Sequence, residues 1–220
     1  MEKHIDEELG IMKDLVMQMW NLVGRQLDKA EESLLTCNKE LANEVVLTEK
    51  VCNNMDNKIS LACENFIALN NPVAIDLRLA LAILRINSNL ERIGDFAEGI
   101  SRFVIKDMTD KLDENDLKQL KLKEMFNNVN YMCDINKKAF LEEETNDLGK
   151  VFERDDAVDD INLKSKSVVA NMIRTNPNKA EEYLCLYSVI KKVERIGDRC
   201  NNIAEEIIFY LDANVVKHTR

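Results

Sequence analysis

Apolar residues recur every three or four positions through almost the whole chain, the spacing that turns one face of an α-helix toward a core. Ile5, Leu9, Met12, Val16, Met19, Val23, Leu27, Ala30 and Leu34 set the first stripe. The pattern breaks at Asn38-Lys39 and resumes at Leu41, passing through Val45, Val51, Met55, Ile59 and Phe66. Asn70-Asn71-Pro72 ends it, and Asn71 as a cap with Pro72 at the first helical position predicts a third helix from Val73 to Lys106. A polar linker, residues 107–113, follows. The remainder predicts one long helix over Glu114–Glu144, another over Leu148–Ile173, and a last one that starts at Thr175-Asn176-Pro177 and runs to Leu211. Helices of this length, about 30 residues, extend about 45 Å.

The second half repeats the first. Glu-Arg-Ile-Gly-Asp stands at Glu91–Asp95 and again 103 residues later at Glu194–Asp198. The same offset pairs Leu90 with Val193, Ala97 with Cys200, Ile100 with Ile203 and Asp56 with Asp159. The expected fold is therefore all-α: six long helices as two pseudo-symmetric antiparallel three-helix bundles, residues 1–109 and 110–220, packed side by side.

Composition narrows the picture. Six glycines, two prolines and 5% aromatic residues leave little material for sheets and turns. The formal net charge of −10 and the lack of a dense Lys/Arg cluster argue against nucleic acid as a partner. No apolar run approaches the roughly 20 residues of a membrane span, and the N-terminus lacks a signal peptide's apolar stretch. Six cysteines without a CxxC pair, mostly at apolar helical positions, read as reduced core residues of a cytoplasmic protein.

The repeated pentapeptide is the candidate for chemistry. Glu91 and Asp95, and likewise Glu194 and Asp198, lie one turn apart beside the core stripe, where like charges cost a few tenths of a kcal/mol. Gly94 and Gly197 stand in mid-helix, where glycine costs about 1 kcal/mol relative to alanine; the use of such a glycine is close approach of a neighbouring helix. That neighbour is expected to be the second helix of each half. It carries Asn53 and Asp56 in the first half and Asp155, Asp156 and Asp159 in the second. Carboxylates converging there need a cation or protons to stay together. Oxygen ligands suit hard cations, iron or manganese, and zinc also accepts them. The two histidines, His4 and His218, are terminal, which removes a ferritin-like Glu/His site and any Ser/His or Cys/His nucleophile pair. The plainer reading makes these acids solvated helix flanks, salt-bridged to Arg92 or Arg195.

At these residues the chain resembles the PhoU family of phosphate-uptake regulators, whose hallmark is a doubled E/DxxxD motif. His4–Leu9, Asn71–Arg78, Glu153–Asp159 and Asn202–Glu205 match as well, so the resemblance spans essentially the whole chain. It implies a cytoplasmic, often dimeric, negative regulator of the phosphate response. Such a protein is an adaptor, not an enzyme, between the ATPase subunit of the phosphate ABC transporter and a sensor histidine kinase. It further implies metal ions, iron or zinc, on the acidic motifs. One departure is Asn53, where the family usually has an acid and the second half has Asp156; on that ground the first site is expected to be the weaker. The competing classes are a metal-storage or metal-buffering helical protein and a metal-dependent hydrolase.

Overall fold

The computed structural model describes residues 2–213 and, among them, seven α-helices, one 3-10 turn and no strand. The side chain of His4 and all of His218 lie outside the described residues. The helices are α1 (Glu2–Thr36), α2 (Lys39–Asn70), α3 (Ala74–Lys106), α4 (Glu114–Gln119), α5 (Leu122–Glu142), α6 (Gly149–Thr175) and α7 (Ala180–Asp212). α1, α2 and α3 pack on one another, α5, α6 and α7 do the same, and α3 lies against α7 where the two bundles meet.

Most predicted breaks have a local cause. Cys37 takes φ 56° and lets α1 stop, after which the Asn38 side chain accepts from Leu41 N at 3.0 Å and starts α2. Asp113 caps α4 in the same way, accepting from Asn115 N at 2.8 Å. Asn71 has a different job from the one its sequence suggests. It stands at φ 46°, ψ 53° as the left-handed end of α2, and α3 begins at Ala74 behind Val73, which makes no side-chain cap. The following Pro72 disfavours the right-handed helical region at Asn71, and asparagine tolerates the left-handed one.

The predicted fourth helix is two. Lys121 at φ 52° separates α4 from α5. Leu120 and Leu122 are both buried, and on a continuous helix they would point about 160° apart. The break turns both inward. Pro177 opens a 3-10 turn, Pro177–Lys179, that leads into α7.

The core stripes are as expected. Ile83, Ile86, Ile93, Ala97 and Ile100 of α3 are fully buried, with Val193, Ile196 and Cys200 of α7. Each large side chain so buried stabilises the fold by about 1.5–3 kcal/mol relative to exposure. All six cysteines are free thiols. No helix among the described residues is long and apolar enough to cross a membrane.

The contact between α3 and α7 is antiparallel: Arg78 meets Tyr210, Arg85 meets Glu206, Asn89 meets Asn202, and Gly99 meets Lys192. Asn89–Asn202 and Lys192–Gly99 interchange under the 103-residue offset, so the repeat is realised as a pseudo-two-fold axis between the central helices.

Candidate metal centre

At Gly94 side chains of α1 and α2 press against α3. A Cβ on Gly94 would stand 3.1 Å from both Gln26 Oε1 and Glu49 Oε2, and 3.9 Å from Cys52 Sγ. The glycine thus makes room for polar groups from α1 and α2 against the turn between Glu91 and Asp95. Oxygens of Glu49, Glu91 and Asp95 all lie within 4.8 Å of one another.

Glu49 is the innermost of the three, 5% exposed. Gln26 Nε2 donates to its Oε2 at 3.2 Å, while Oε1 is buried without a hydrogen-bond partner. Burial, with added repulsion from Asp95, Glu98 and Glu91, pushes its carboxyl up to about 7. Burial also raises Glu91, helped by Asp95 and by Asp56 and opposed by Arg92. The Cys52 thiol, donating to Gln26 Oε1 at 2.8 Å, is pushed up to about 12 by burial and by Glu49, Glu91 and Asp95. It stays a thiol here and is not a ready ligand.

Arg92 reaches Asp95 at 3.0 Å and Glu91 at 3.6 Å, so the salt-bridged flank is part of the structure. Its guanidinium is 59% exposed, and such pairs contribute about 0–1 kcal/mol. The arginine answers the outer acids and leaves buried Glu49 with an amide alone. A cation among the three carboxylates would supply what Glu49 Oε1 lacks, so this donor set fits a hard cation, iron or zinc.

Asp56 lies beside this group. Asn87 Nδ2 donates to its Oδ1 at 2.7 Å and to its carbonyl at 3.1 Å, tying α2 to α3. Burial raises the Asp56 carboxyl, with Arg92 and Asn87 pulling it down. Asn53 is exposed on α2, next in sequence to the buried Cys52. The expectation of a weaker first site set Asn53 against Asp156; Glu49 gives the first half a buried carboxylate that this comparison did not count.

In the second half Gly197 faces Asp155, whose Oδ1 would be 2.7 Å from a Cβ there. Asp155 is 1% exposed and its Oδ2 accepts a short hydrogen bond from Asn201 Nδ2. Asp159 and Glu194 line a groove of about 560 Å³ between α6 and α7 together with Lys166, Lys191 and Tyr187. Asp198 is half-buried on α7, and Asp156 is exposed on α6.

Glu49 and Gln26 escaped the sequence reading, although one signal marks both. Each is a polar residue at a core position of an apolar stripe, Gln26 between Val23 and Ala30 and Glu49 between Val45 and Cys52.

Against known families, the PhoU domain matches twice, over residues 16–104 and 122–207. The chain belongs to the PhoU family. A PhoU homolog of Thermotoga maritima, a phosphate-specific transport system accessory protein, is 32% identical over 94% of this chain and 88% of its own length. The Escherichia coli accessory protein PhoU is 28% identical over 99% of this chain and 91% of its own. The crystal structure of PhoU from Pseudomonas aeruginosa superimposes with a TM-score of 0.88 at 25% identity, covering 95% of this chain and 99% of that one. Both PhoU matches contain the Glu-Arg-Ile-Gly-Asp motif, and the first contains Glu49.

Proposed function

We propose that this PhoU chain is an accessory regulator of phosphate-specific transport, a negative regulator of phosphate uptake and of the phosphate-starvation response. It acts as a non-enzymatic cytoplasmic adaptor, joining the ATPase subunit of the phosphate ABC transporter to a sensor histidine kinase, and works as a homodimer. The observation that carries this reading is the match over nearly the full length to relatives named as accessory proteins of that transport system.

The acidic clusters hold metal ions in this reading, iron or zinc. Glu49, Glu91 and Asp95, with Asp56 at the edge, form the first site. Glu194 and Asp198, with Asp155, Asp156 and Asp159 of the facing helix, form the second. The buried, half-satisfied Glu49 supports the first assignment. A cation there would tie α2 to α3 and fix the acidic face offered to a partner.

The test is binding of the purified full-length chain to the cognate ATPase subunit and to the kinase's cytoplasmic region, with and without phosphate. Binding to both, altered by phosphate, is expected. A chain that binds neither while loading many metal ions would be a metal-storage protein instead.

A further inference from the structure

We propose that the groove between the end of α3 and the first half of α7 binds a small tetrahedral oxyanion of the phosphate class, held by Lys192, Arg102 and Lys106. The pseudo-two-fold axis relates one end of the α3–α7 contact to the other.

At one end the facing polar side chains of α3 and α7 pair with one another. Asn202 Nδ2 donates to Asn89 Oδ1 at 3.3 Å. Arg85 pairs with Glu206 at 3.0 Å, and its guanidinium lies 6.0 Å from the centre of the Phe209 ring.

The other end carries the offset counterparts, and they are different residues. Lys192 replaces Asn89, Gly99 replaces Asn202, Ser188 replaces Arg85, Phe103 replaces Glu206, and Lys106 replaces Phe209. The carboxylate is gone and two new ammonium groups are present. Lys192 lies across Gly99, where a Cβ would stand 2.9 Å from its Cε, so the missing side chain lets the lysine stem lie against α3. Its Nζ donates to Ser188 Oγ at 2.9 Å. Burial, and then Arg195, push this ammonium below the usual lysine range. Arg102 and Lys106 line the same groove of about 210 Å³. Glu98 holds Arg102 at 2.7 Å, Asp107 is the one acid among the described residues lining the groove, and Glu181 acts on its Cys185 from outside that lining.

A cluster of this sign is out of keeping with a chain of net charge −10. The average field of such a chain repels anions, but within a Debye length of about 8–10 Å the local cations decide. The volume is below the roughly 300–1,000 Å³ of pockets for drug-sized ligands, and a compact anion suits it. A tetrahedral oxyanion can accept from two ammonium groups and a guanidinium at once. The site rests on these residues alone; the choice of phosphate among oxyanions rests on the function proposed above.

Titration calorimetry of the full-length chain with inorganic phosphate, and in parallel with sulfate at equal ionic strength, tests the assignment. Saturable binding is expected. Lys192→Asn, which copies the opposite end, and Arg102→Gln should each weaken it by about tenfold or more, the usual weight of a charge-assisted contact. Arg85→Gln should leave it unchanged, and circular dichroism checks that every variant stays helical. Equal binding of sulfate supports the site and detaches it from the phosphate reading. Absence of saturable binding by either anion overturns the proposal. So does phosphate binding that survives both variants, or that disappears on metal chelation while Lys192→Asn leaves it intact.

Discussion

The same five residues stand on α3 and α7, but the helices that face them present their carboxylates from different positions. In the first half the residues facing Gly94 from α2 are Glu49 and Cys52; in the second their counterparts are Phe152 and Asp155. Positions three apart on a helix share a face. Shifting the acid by one turn therefore brings a buried carboxylate to the same glycine by a different route. The longer glutamate reaches from one turn away, and the shorter aspartate sits directly beneath. The repeat conserves the place of a charge more closely than the place of a residue.

Exchanging the two arrangements should have the largest effect. Glu49→Ala should weaken metal binding in the first half by about 100-fold or more. Adding Cys52→Asp, which copies the second half, should recover most of it. Competition with a fluorescent chelator reads both; a double variant as poor as the single one would mean that the shifted acids are not equivalent.

Protonation of Glu49 offers a second test. Glu49 has a folded-state value of about 7, above its ordinary 4.5. The folded chain therefore keeps a proton that the unfolded chain releases, and stability falls as pH rises from about 4.5 through 7. Metal-free protein should lose roughly 2–3 kcal/mol between pH 5 and 8 from this group, and Glu49→Gln should remove that loss. Urea unfolding at several pH values measures it, and identical pH profiles for the two proteins would refute the claim.

The glycines sharpen the contrast further. Alanine at 197 meets the short, hydrogen-bonded Asp155 at 2.7 Å, and alanine at 94 meets the ends of two longer side chains at 3.1 Å. Gly197→Ala should destabilise by about 2 kcal/mol, whereas Gly94→Ala should stay within about 1 kcal/mol because improved helix propensity offsets the contact. Equal thermal shifts would say that Asp155 yields as readily as Glu49.

The smallest effect belongs to the pairing at the closed end of the α3–α7 contact. Arg85→Ala should cost about 0.5 kcal/mol, since its guanidinium is 57% exposed. A loss above 2 kcal/mol would make that end structurally essential.

How much of this could be read beforehand follows from the same physics. Helix breaks at Asn38 and around Pro72 and Pro177 were legible because caps and prolines act through the adjacent backbone. The break at Lys121 was not, because it answers where Leu120 and Leu122 must point, a demand of the assembled core. Asn71 was legible as a turn residue, but whether it ends one helix or starts the next depends on φ. Glu91, Asp95, Glu194 and Asp198 stood out through repetition. Glu49 did not, because its counterpart is Phe152 and a residue-by-residue offset pairs it with nothing acidic. Asn53 drew attention for the opposite reason: the offset matched it to Asp156, and in the structure both are exposed.

Whether these acids hold a cation is decided by the metal content of the protein purified without a metal-affinity tag. Elemental mass spectrometry would compare it with Glu49→Gln and with Asn53→Ala, each checked for helicity. Stoichiometric iron or zinc is expected in the unaltered chain, with loss of the first-half share in Glu49→Gln and no change in Asn53→Ala. Metal kept in Glu49→Gln and lost in Asn53→Ala, or no metal in any of the three, would contradict the metal assignment.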